Sequence, residues 1–124
     1  MASDGWMYVY GGHVAATHSY SIEAVSGSFH RWDLSTGIWE ALPEGPGLQG
    51  VGLAAHRGSI YRAGGMQPRK RKGEPEDQHS VADAARFDPV TRQWVPLPPL
   101  LAPHSSHDVV IAGNQLFVIG GWTM

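Results

Sequence analysis

The stretch Gly113-Asn114-Gln115-Leu116-Phe117-Val118-Ile119-Gly120-Gly121 decides the fold, because its pattern occurs three times along the chain. Each copy has a small turn, an apolar strand and a Gly-Gly pair. The earlier copies are Asp-Gly-Trp-Met-Tyr-Val-Tyr-Gly-Gly at 4–12 and Arg-Gly-Ser-Ile-Tyr-Arg-Ala-Gly-Gly at 57–65. The first glycines of the pairs are separated by 53 and then 56 residues. A period of about 50 residues predicts a repeat architecture instead of one irregular domain.

The amino-acid composition is typical of a turn-rich all-β protein without disulfides. The chain has 124 residues, 16% of them charged, with a net charge of -2. This balance gives no reason to expect a nucleic-acid partner. The 16 Gly, 9 Pro and 5 Trp are typical of a turn-rich all-β protein with aromatic side chains for its core. Disulfides are excluded because there is no cysteine.

Targeting signals are not visible in these residues. The apolar runs fall short of the roughly 20 residues that cross a bilayer, so we expect a soluble protein with no membrane partner. Residues 1–5 lack the basic and then apolar pattern of a signal peptide. The sequence leaves the compartment undetermined.

A second repeated segment lies between the Gly-Gly pairs. Residues 31–43 match residues 86–98 at an offset of 55, each with an aromatic residue, an Asp turn, a Trp and Leu-Pro. The Asp side chain can cap its own turn, which predicts a hairpin. The Pro that follows is expected where an outer strand stops pairing.

The chain resembles kelch repeats, in which a Trp follows a Gly-Gly pair after some 27 to 29 residues. That spacing is met from Gly12 to Trp39 and from Gly65 to Trp94. The resemblance implies blades of four antiparallel strands, with strand A innermost, B ending at Gly-Gly, C ending at the Asp turn and D carrying the Trp. The structural motif residues are then Gly11, Gly12, Trp39, Gly64, Gly65, Trp94, Gly120 and Gly121.

Placing these strands on the sequence predicts a partial kelch propeller over residues 1–124, with one complete blade flanked by two incomplete ones. Strands B, C and D of blade 1 cover 5–43, strands A to D of blade 2 cover 50–98, and strands A and B of blade 3 cover 107–121. No strand A is expected before Asp4-Gly5. Because an open arc exposes apolar sheet faces and strand edges, we expect further blades to cover them. These blades would come from a longer parent chain, which we favour, or from other copies in a homotrimer.

Function in a propeller is expected in the loops. Two B–C loops are long, and the second carries the basic run 69–72 followed by acidic residues at 74, 76 and 77. That run predicts either an anion contact or, more simply, a solvated loop whose charges offset each other. The candidate binding-loop residues are His13, His18, Met66, Arg69, Arg71, His79, His104 and His107.

Metal and nucleophile arrangements are not expected. Seven histidines are present, but a zinc site needs roughly three or four convergent ligands, and residues three apart on an extended chain point to opposite sides. Ser105 and Ser106 lie near Asp108 only in sequence, which does not define a catalytic triad. We therefore predict no catalytic residue, no metal and no cofactor.

Arg62 is the exception within its strand, since it stands where the other two copies have Val9 and Val118. A buried guanidinium needs a carboxylate partner. The hypothesis is a buried pair with Asp83 or Asp108. The alternative is a side chain that projects toward the channel as an anion contact.

Two function classes remain. The first is a non-catalytic scaffold whose loops bind a protein or a glycan. The alternative is part of a carbohydrate-active propeller enzyme that resembles galactose oxidase or a sialic-acid mutarotase. The oxidase site needs a crosslinked Cys and a Tyr-His pair, and the sequence has neither.

Overall fold

The computed structural model describes residues 1–14 and 19–124, and these residues form an all-β arrangement. The first sheet contains β1 (Ala2–Ser3), β2 (Trp6–His13), β3 (Val25–Asp33) and β4 (Trp39–Leu42), paired in that order. A short 3-10 helix, Ile22–Ala24, precedes β3. The predicted kelch-type blade is thus seen in this sheet. One detail was wrong: the two residues of β1 pair with Trp6 and Met7, although no strand was expected before Asp4.

The second sheet repeats the same order of strands. It contains β5 (Gly52–His56), β6 (Ser59–Ala63), β9 (Ala84–Asp88) and β10 (Gln93–Pro96), all antiparallel. Two hairpins complete the fold: the loop hairpin, β7 (Met66–Pro68) with β8 (Gln78–Ser80), and the terminal hairpin, β11 (Asp108–Ala112) with β12 (Gln115–Ile119). Apart from β1, the strands of the two sheets and of the terminal hairpin lie at the positions expected from the repeat, whereas the loop hairpin falls in a segment that was predicted as a long B–C loop. The blade boundaries 5–43, 50–98 and 107–121 stay a prediction.

The strands of both sheets are joined at one end by tight turns. Asp4-Gly5 and Arg57-Gly58 have positive φ at both residues, as in type I′ hairpin turns. The aspartates act as the repeat predicts: Asp33 Oδ1 accepts the N–H groups of Ser35 and Thr36, and Asp88 Oδ1 accepts that of Val90. We call this the turn end of the sheets. The opposite end, with residues 19–24 and the connections 43–51, 64–83 and 97–107, is the loop end.

The core lies between the two sheets. The rings of Phe29 and Phe87, one from each sheet, are both fully buried and meet edge-on with centroids 5.1 Å apart. Trp94 packs against Phe29 at 5.0 Å and donates from Nε1 to the carbonyl of Pro43 at 2.9 Å. Burial of this aromatic cluster holds one sheet on the other.

The Gly-Gly pairs follow strand B in the second sheet and in the terminal hairpin, whereas in the first sheet β2 continues through Gly11 and Gly12 to His13 after a shift of register with β3. Gly11, Gly64 and Gly120 have φ values of 65°, 69° and 72°. A Cβ on Gly64 would lie 2.5 Å from the His104 carbonyl oxygen and 2.5 Å from the His107 ring. Glycine is required there both by the positive φ and by the close approach of the 97–107 connection.

An ion network also joins the sheets. Arg31 Nε donates to Glu40 Oε2 at 2.7 Å, and Arg92 of the second sheet reaches Glu40 Oε1 at 2.8 Å. The hydrogen bond from Arg31, followed by that from Arg92, lowers the pKa of Glu40 below its ordinary value. Arg31 also lies over the Trp6 ring, 3.9 Å from its centroid.

Among the residues described, no helix has the length and apolar character needed to cross a bilayer.

Candidate functional site

The loop end brings together the connections between strands B and C and between strands D and A. Antiparallel pairing places alternate connections at the same end of a sheet, so both sheets contribute to this surface. The 43–51 connection runs from the first sheet to the second and is held by main-chain bonds. Gly12 N–H donates to Leu48 O at 3.0 Å, and Gln49 and Met66 exchange two bonds of 3.0 and 2.7 Å. This connection forms the wall around which the candidate site is built.

Arg62 lies beneath this wall, in the middle of β6. Its guanidinium is 2.5 Å from Asp83 Oδ2, and the residue is only 5% exposed. The rings of Trp94 and Tyr10 lie 5.2 and 5.7 Å from the guanidinium carbon. Within the described part of the chain, Arg62 Nε is buried without a hydrogen-bond partner.

Asp83 is the member of this pair that faces outward, since 53% of its side chain is exposed. The sequence left three arrangements of Arg62 open: a pair with Asp83, a pair with Asp108, or an anion contact toward the channel. In the structure Arg62 forms the ion pair with Asp83. Because the buried guanidinium of Arg62 is paired with Asp83, the polar group exposed at the surface is the Asp83 carboxylate, held in one orientation. Such a group accepts hydrogen bonds from a cation, an amide or a hydroxyl.

Two adjoining clefts make up the site, which we call the loop groove. One, of about 440 Å³, is lined by Pro46, Leu48, Arg62, Gln67, Val81 and Asp83. The other, of about 600 Å³, shares Gln67 and continues along the 43–51 connection. It is lined by Ile22, Val25, Gly27, Glu44, Gly45, Gly47, Pro68 and Arg69. The loop groove therefore has acidic groups, one exposed Arg, an amide, and main chain free of bulky side chains.

Tyr10 supports the groove from below. Its hydroxyl donates to the carbonyl of Pro46 at 2.6 Å. Burial raises the pKa of Tyr10 to about 12, with Arg62 lowering it and Asp83 and Glu44 raising it further. The phenol therefore stays protonated at neutral pH and serves as a fixed donor beneath the 43–51 connection.

The basic run at 69–72 is paired largely within its own loop. Lys70 is 6% exposed, and its Nζ lies 2.5 Å from Glu76 Oε1. Glu74 Oε2 accepts the main-chain N–H of Arg71 at 2.9 Å. These contacts match the simpler interpretation, in which the two charge blocks offset each other. Arg69 is exposed and lines the loop groove, whereas Met66 is buried in β7.

The candidate histidines are dispersed. His13 Nε2 is 3.0 Å from the Ser19 carbonyl, His79 Nε2 is 2.6 Å from Asp77 Oδ1, and His18 lies outside the described residues. The His104 and His107 rings are 6.2 Å apart, and His107 Nε2 bonds the Ala63 carbonyl at 2.8 Å. In residues 1–14 and 19–124, no three metal-ligating side chains come together.

Ser105, considered as a nucleophile from its sequence neighbours, is fully buried. Its Oγ is 2.8 Å from Ser80 Oγ, so it joins the loop hairpin to the 97–107 connection. The groove residues Glu44, Pro46 and Gln67 were missed by sequence reasoning. The available signal was the Glu-Gly-Pro-Gly run at 44–47, which follows strand D directly.

Comparisons with known proteins agree with this architecture. No family model matches the chain. Human Kelch-like protein 30 is 31% identical over 100 residues, which are 79% of this chain and 16% of that protein. Kelch repeat protein C2 of vaccinia virus (strain Western Reserve) is 27% identical over 116 residues, 93% of this chain and 20% of that protein. The solved structure of YjhT, a kelch-type propeller, superposes with a TM-score of 0.72 at 19% identity.

This chain is a kelch-type β-propeller segment. The kelch segment spans 16 to 20% of the length of these curated relatives. The alignment with YjhT covers 97% of this chain and 32% of the YjhT chain. The likeness to YjhT shows the fold alone. The relatives support a kelch-repeat module as the general class of this protein.

Proposed function

We propose that this kelch segment is a protein-binding module and that the loop groove receives an extended peptide segment of the partner. The observation that carries the proposal is the Arg62–Asp83 pair at one end of a groove whose wall is largely main chain. The buried guanidinium holds the carboxylate in one orientation, and its exposed side is available to a donor on the partner.

The chemistry of the groove favours a peptide over a glycan. Its wall at 45–47 is Gly-Pro-Gly, and these glycines let the wall itself lie close on the Tyr10 ring and on the Val25 carbonyl below it. Gln67 lies where the two clefts meet and can both donate to and accept from a peptide group. The lining residues described include no aromatic ring on which a sugar could stack.

The charges of the groove define the side chain that would be recognised. Asp83 lies in one cleft and Glu44 in the other, and Arg69 is their cationic neighbour. A basic partner residue opposite Asp83, with an acidic residue near Arg69, would match this distribution. The alternative of a carbohydrate-active propeller enzyme stays a prediction.

The experiment is a selection of random 12-residue peptides displayed on phage, using the purified chain as bait. Selected peptides would then be titrated against the chain and against two groove variants, Gln67→Ala and Glu44→Gln. Both positions are accessible, so the fold should be retained. We expect each variant to weaken binding by about three- to tenfold, the worth of one or two lost hydrogen bonds.

The matched control is Arg57→Asn at the turn end, which should leave peptide binding unchanged. Peptides whose affinity is insensitive to both groove variants, or a failure to select any peptide, would contradict the proposal.

A further inference from the structure

A second pocket lies at the turn end, between the second sheet and the terminal hairpin. Its volume is about 470 Å³. The side formed by the second sheet carries His56, Arg57, Ser59 and Arg86, and the terminal hairpin supplies the opposite wall. We call it the turn-end pocket. It lies at the other end of the strands from the loop groove and does not depend on the proposed function.

Comparison of the two sheets shows that Arg86 lacks the cross-strand carboxylate that its counterpart in the first sheet has. In the first sheet, Arg31 stands directly opposite Glu40 on the neighbouring strand and forms an ion pair of 2.7 Å. The equivalent Arg86 of the second sheet stands opposite Val95. The repeat thus keeps the guanidinium and replaces its carboxylate with an aliphatic side chain.

The remaining contacts of Arg86 do not replace that carboxylate. Its NH1 group donates to Ser59 Oγ at 3.1 Å, which is a neutral acceptor. The nearest carboxylate, Asp88, is 4.0 Å away, beyond hydrogen-bond distance, and its Oδ1 caps the following turn through Val90 N–H. A guanidinium has several further N–H donors.

Two more polar residues line the pocket. His56 Nε2 is buried and has no hydrogen-bond partner in the part of the chain that the structure describes. Arg57, next to it in the hairpin turn, is exposed. An oxygen-rich anion bound between Arg57 and Arg86 would give both guanidinium groups a charged acceptor.

We propose that the turn-end pocket binds an oxyanion of the phosphate class. Arg86 and Arg57 supply the positive charge, and the Ser59 hydroxyl supplies a further donor. Ile111 and Leu116 form an apolar wall beside these groups, which fits the organic part of a phosphate monoester. Guanidinium groups recognise phosphate through paired charge-assisted hydrogen bonds.

The test is calorimetric titration of the chain at low salt and neutral pH with inorganic phosphate, phenyl phosphate and acetate. We expect 1:1 binding of both phosphates and at least about tenfold weaker binding of acetate, which presents fewer oxygens and less charge. Tighter binding of phenyl phosphate than of inorganic phosphate would show that the ligand is a phosphate monoester whose organic part contacts the apolar wall. Equal affinity would assign the site to free phosphate.

Variants locate the binding. Arg86→Gln should weaken phosphate binding by at least about tenfold, and Arg57→Asn by about threefold or more. Lys72→Gln removes the same charge from an exposed position at the loop end and is the matched control, expected to stay within about twofold.

Val95→Glu is the decisive variant, because it restores in the second sheet the cross-strand pair of the first and leaves every pocket side chain in place. We expect it to abolish phosphate binding, with an unchanged circular dichroism spectrum. The proposal is overturned if neither phosphate binds, or if phosphate binds equally well to Arg86→Gln, Arg57→Asn and Val95→Glu.

Discussion

At the scale of single residues, Tyr10 and Arg62 show how one buried layer serves both the core and the groove. The Tyr10 ring packs on Phe29 at 5.8 Å, and its hydroxyl holds the 43–51 connection through Pro46. The Arg62 guanidinium lies beside the same ring and holds Asp83. Loss of either contact is therefore expected to change the geometry of the groove and to lower the free energy of unfolding.

Tyr10 makes a prediction about alkaline pH. Its pKa is about 12 in the folded chain, against 10.0 ordinarily, chiefly because it is buried. A raised folded pKa contributes stability that is complete below pH 10 and is lost as the pH rises toward 12. We expect Tyr10→Phe to remove this pH-dependent contribution to the free energy of unfolding, which amounts to about 3 kcal/mol.

The measurement is urea unfolding of both proteins at pH 8 and at pH 11.5, together with absorbance titration at 295 nm. The free energy of unfolding should fall more steeply with pH in the wild type than in the variant, and the variant should lack a titration step near pH 12. Identical pH dependence in the two proteins would contradict the assignment.

At the scale of elements, three hairpin turns between strands A and B place different residues in the same left-handed backbone conformation. Their first central residues are Asp4, Arg57 and Gly113, with φ values of 53°, 49° and 60°. Asp and Gly tolerate this left-handed region, but Arg does so at a cost. Arg57 is thus the least suited of the three to its backbone, and it lines the turn-end pocket.

Replacement of Arg57 by Asn is predicted to stabilise the chain. Asn is preferred before Gly in a type I′ turn, so the free energy of unfolding should rise by about 0.5–1 kcal/mol. Urea unfolding measures this change, and Arg71→Asn in the long exposed loop serves as the control. A destabilised Arg57→Asn variant would show that the arginine side chain contributes more than its turn conformation costs.

At the scale of the whole molecule, the two sheets depend on a shared layer of aromatic rings. Phe87 touches Phe29 and Trp94, with centroids 5.1 and 5.4 Å away, and is completely buried. The Arg31–Glu40–Arg92 network crosses the same interface nearer the surface. Neither sheet buries these side chains alone, so the sheets are expected to unfold together.

Phe87→Ala is predicted to lower the free energy of unfolding by about 3–5 kcal/mol, the cost of a large cavity in a packed core. Phe117→Ala, at a ring that is 45% exposed on the terminal hairpin, is the matched control and should cost under about 1 kcal/mol. Urea unfolding followed by tryptophan fluorescence and by circular dichroism measures both. Two separate transitions, or equal losses in the two variants, would contradict a shared core.

The sequence by itself determined the kelch-type blade, its turns and most of its strands, but not the loop hairpin of β7 and β8, which lies in a segment predicted as a loop. These features depend on local rules: the positive φ of Gly11 and Gly64, the Asp33 and Asp88 side-chain caps, and the alternation of apolar residues. The two-residue strand at Ala2–Ser3 escaped these rules because it is short and forms only by pairing with β2.

Only the tertiary structure decided which residues meet through space. The sequence left Asp83 and Asp108 as possible partners for Arg62, and the pairing of β6 with β9 places Asp83, the residue before β9, beside it. The loop groove and the turn-end pocket likewise arise where separate connections and strands approach, far apart in sequence. Local sequence encodes backbone conformation, whereas contacts between blades follow from sheet register and packing, which no single repeat contains.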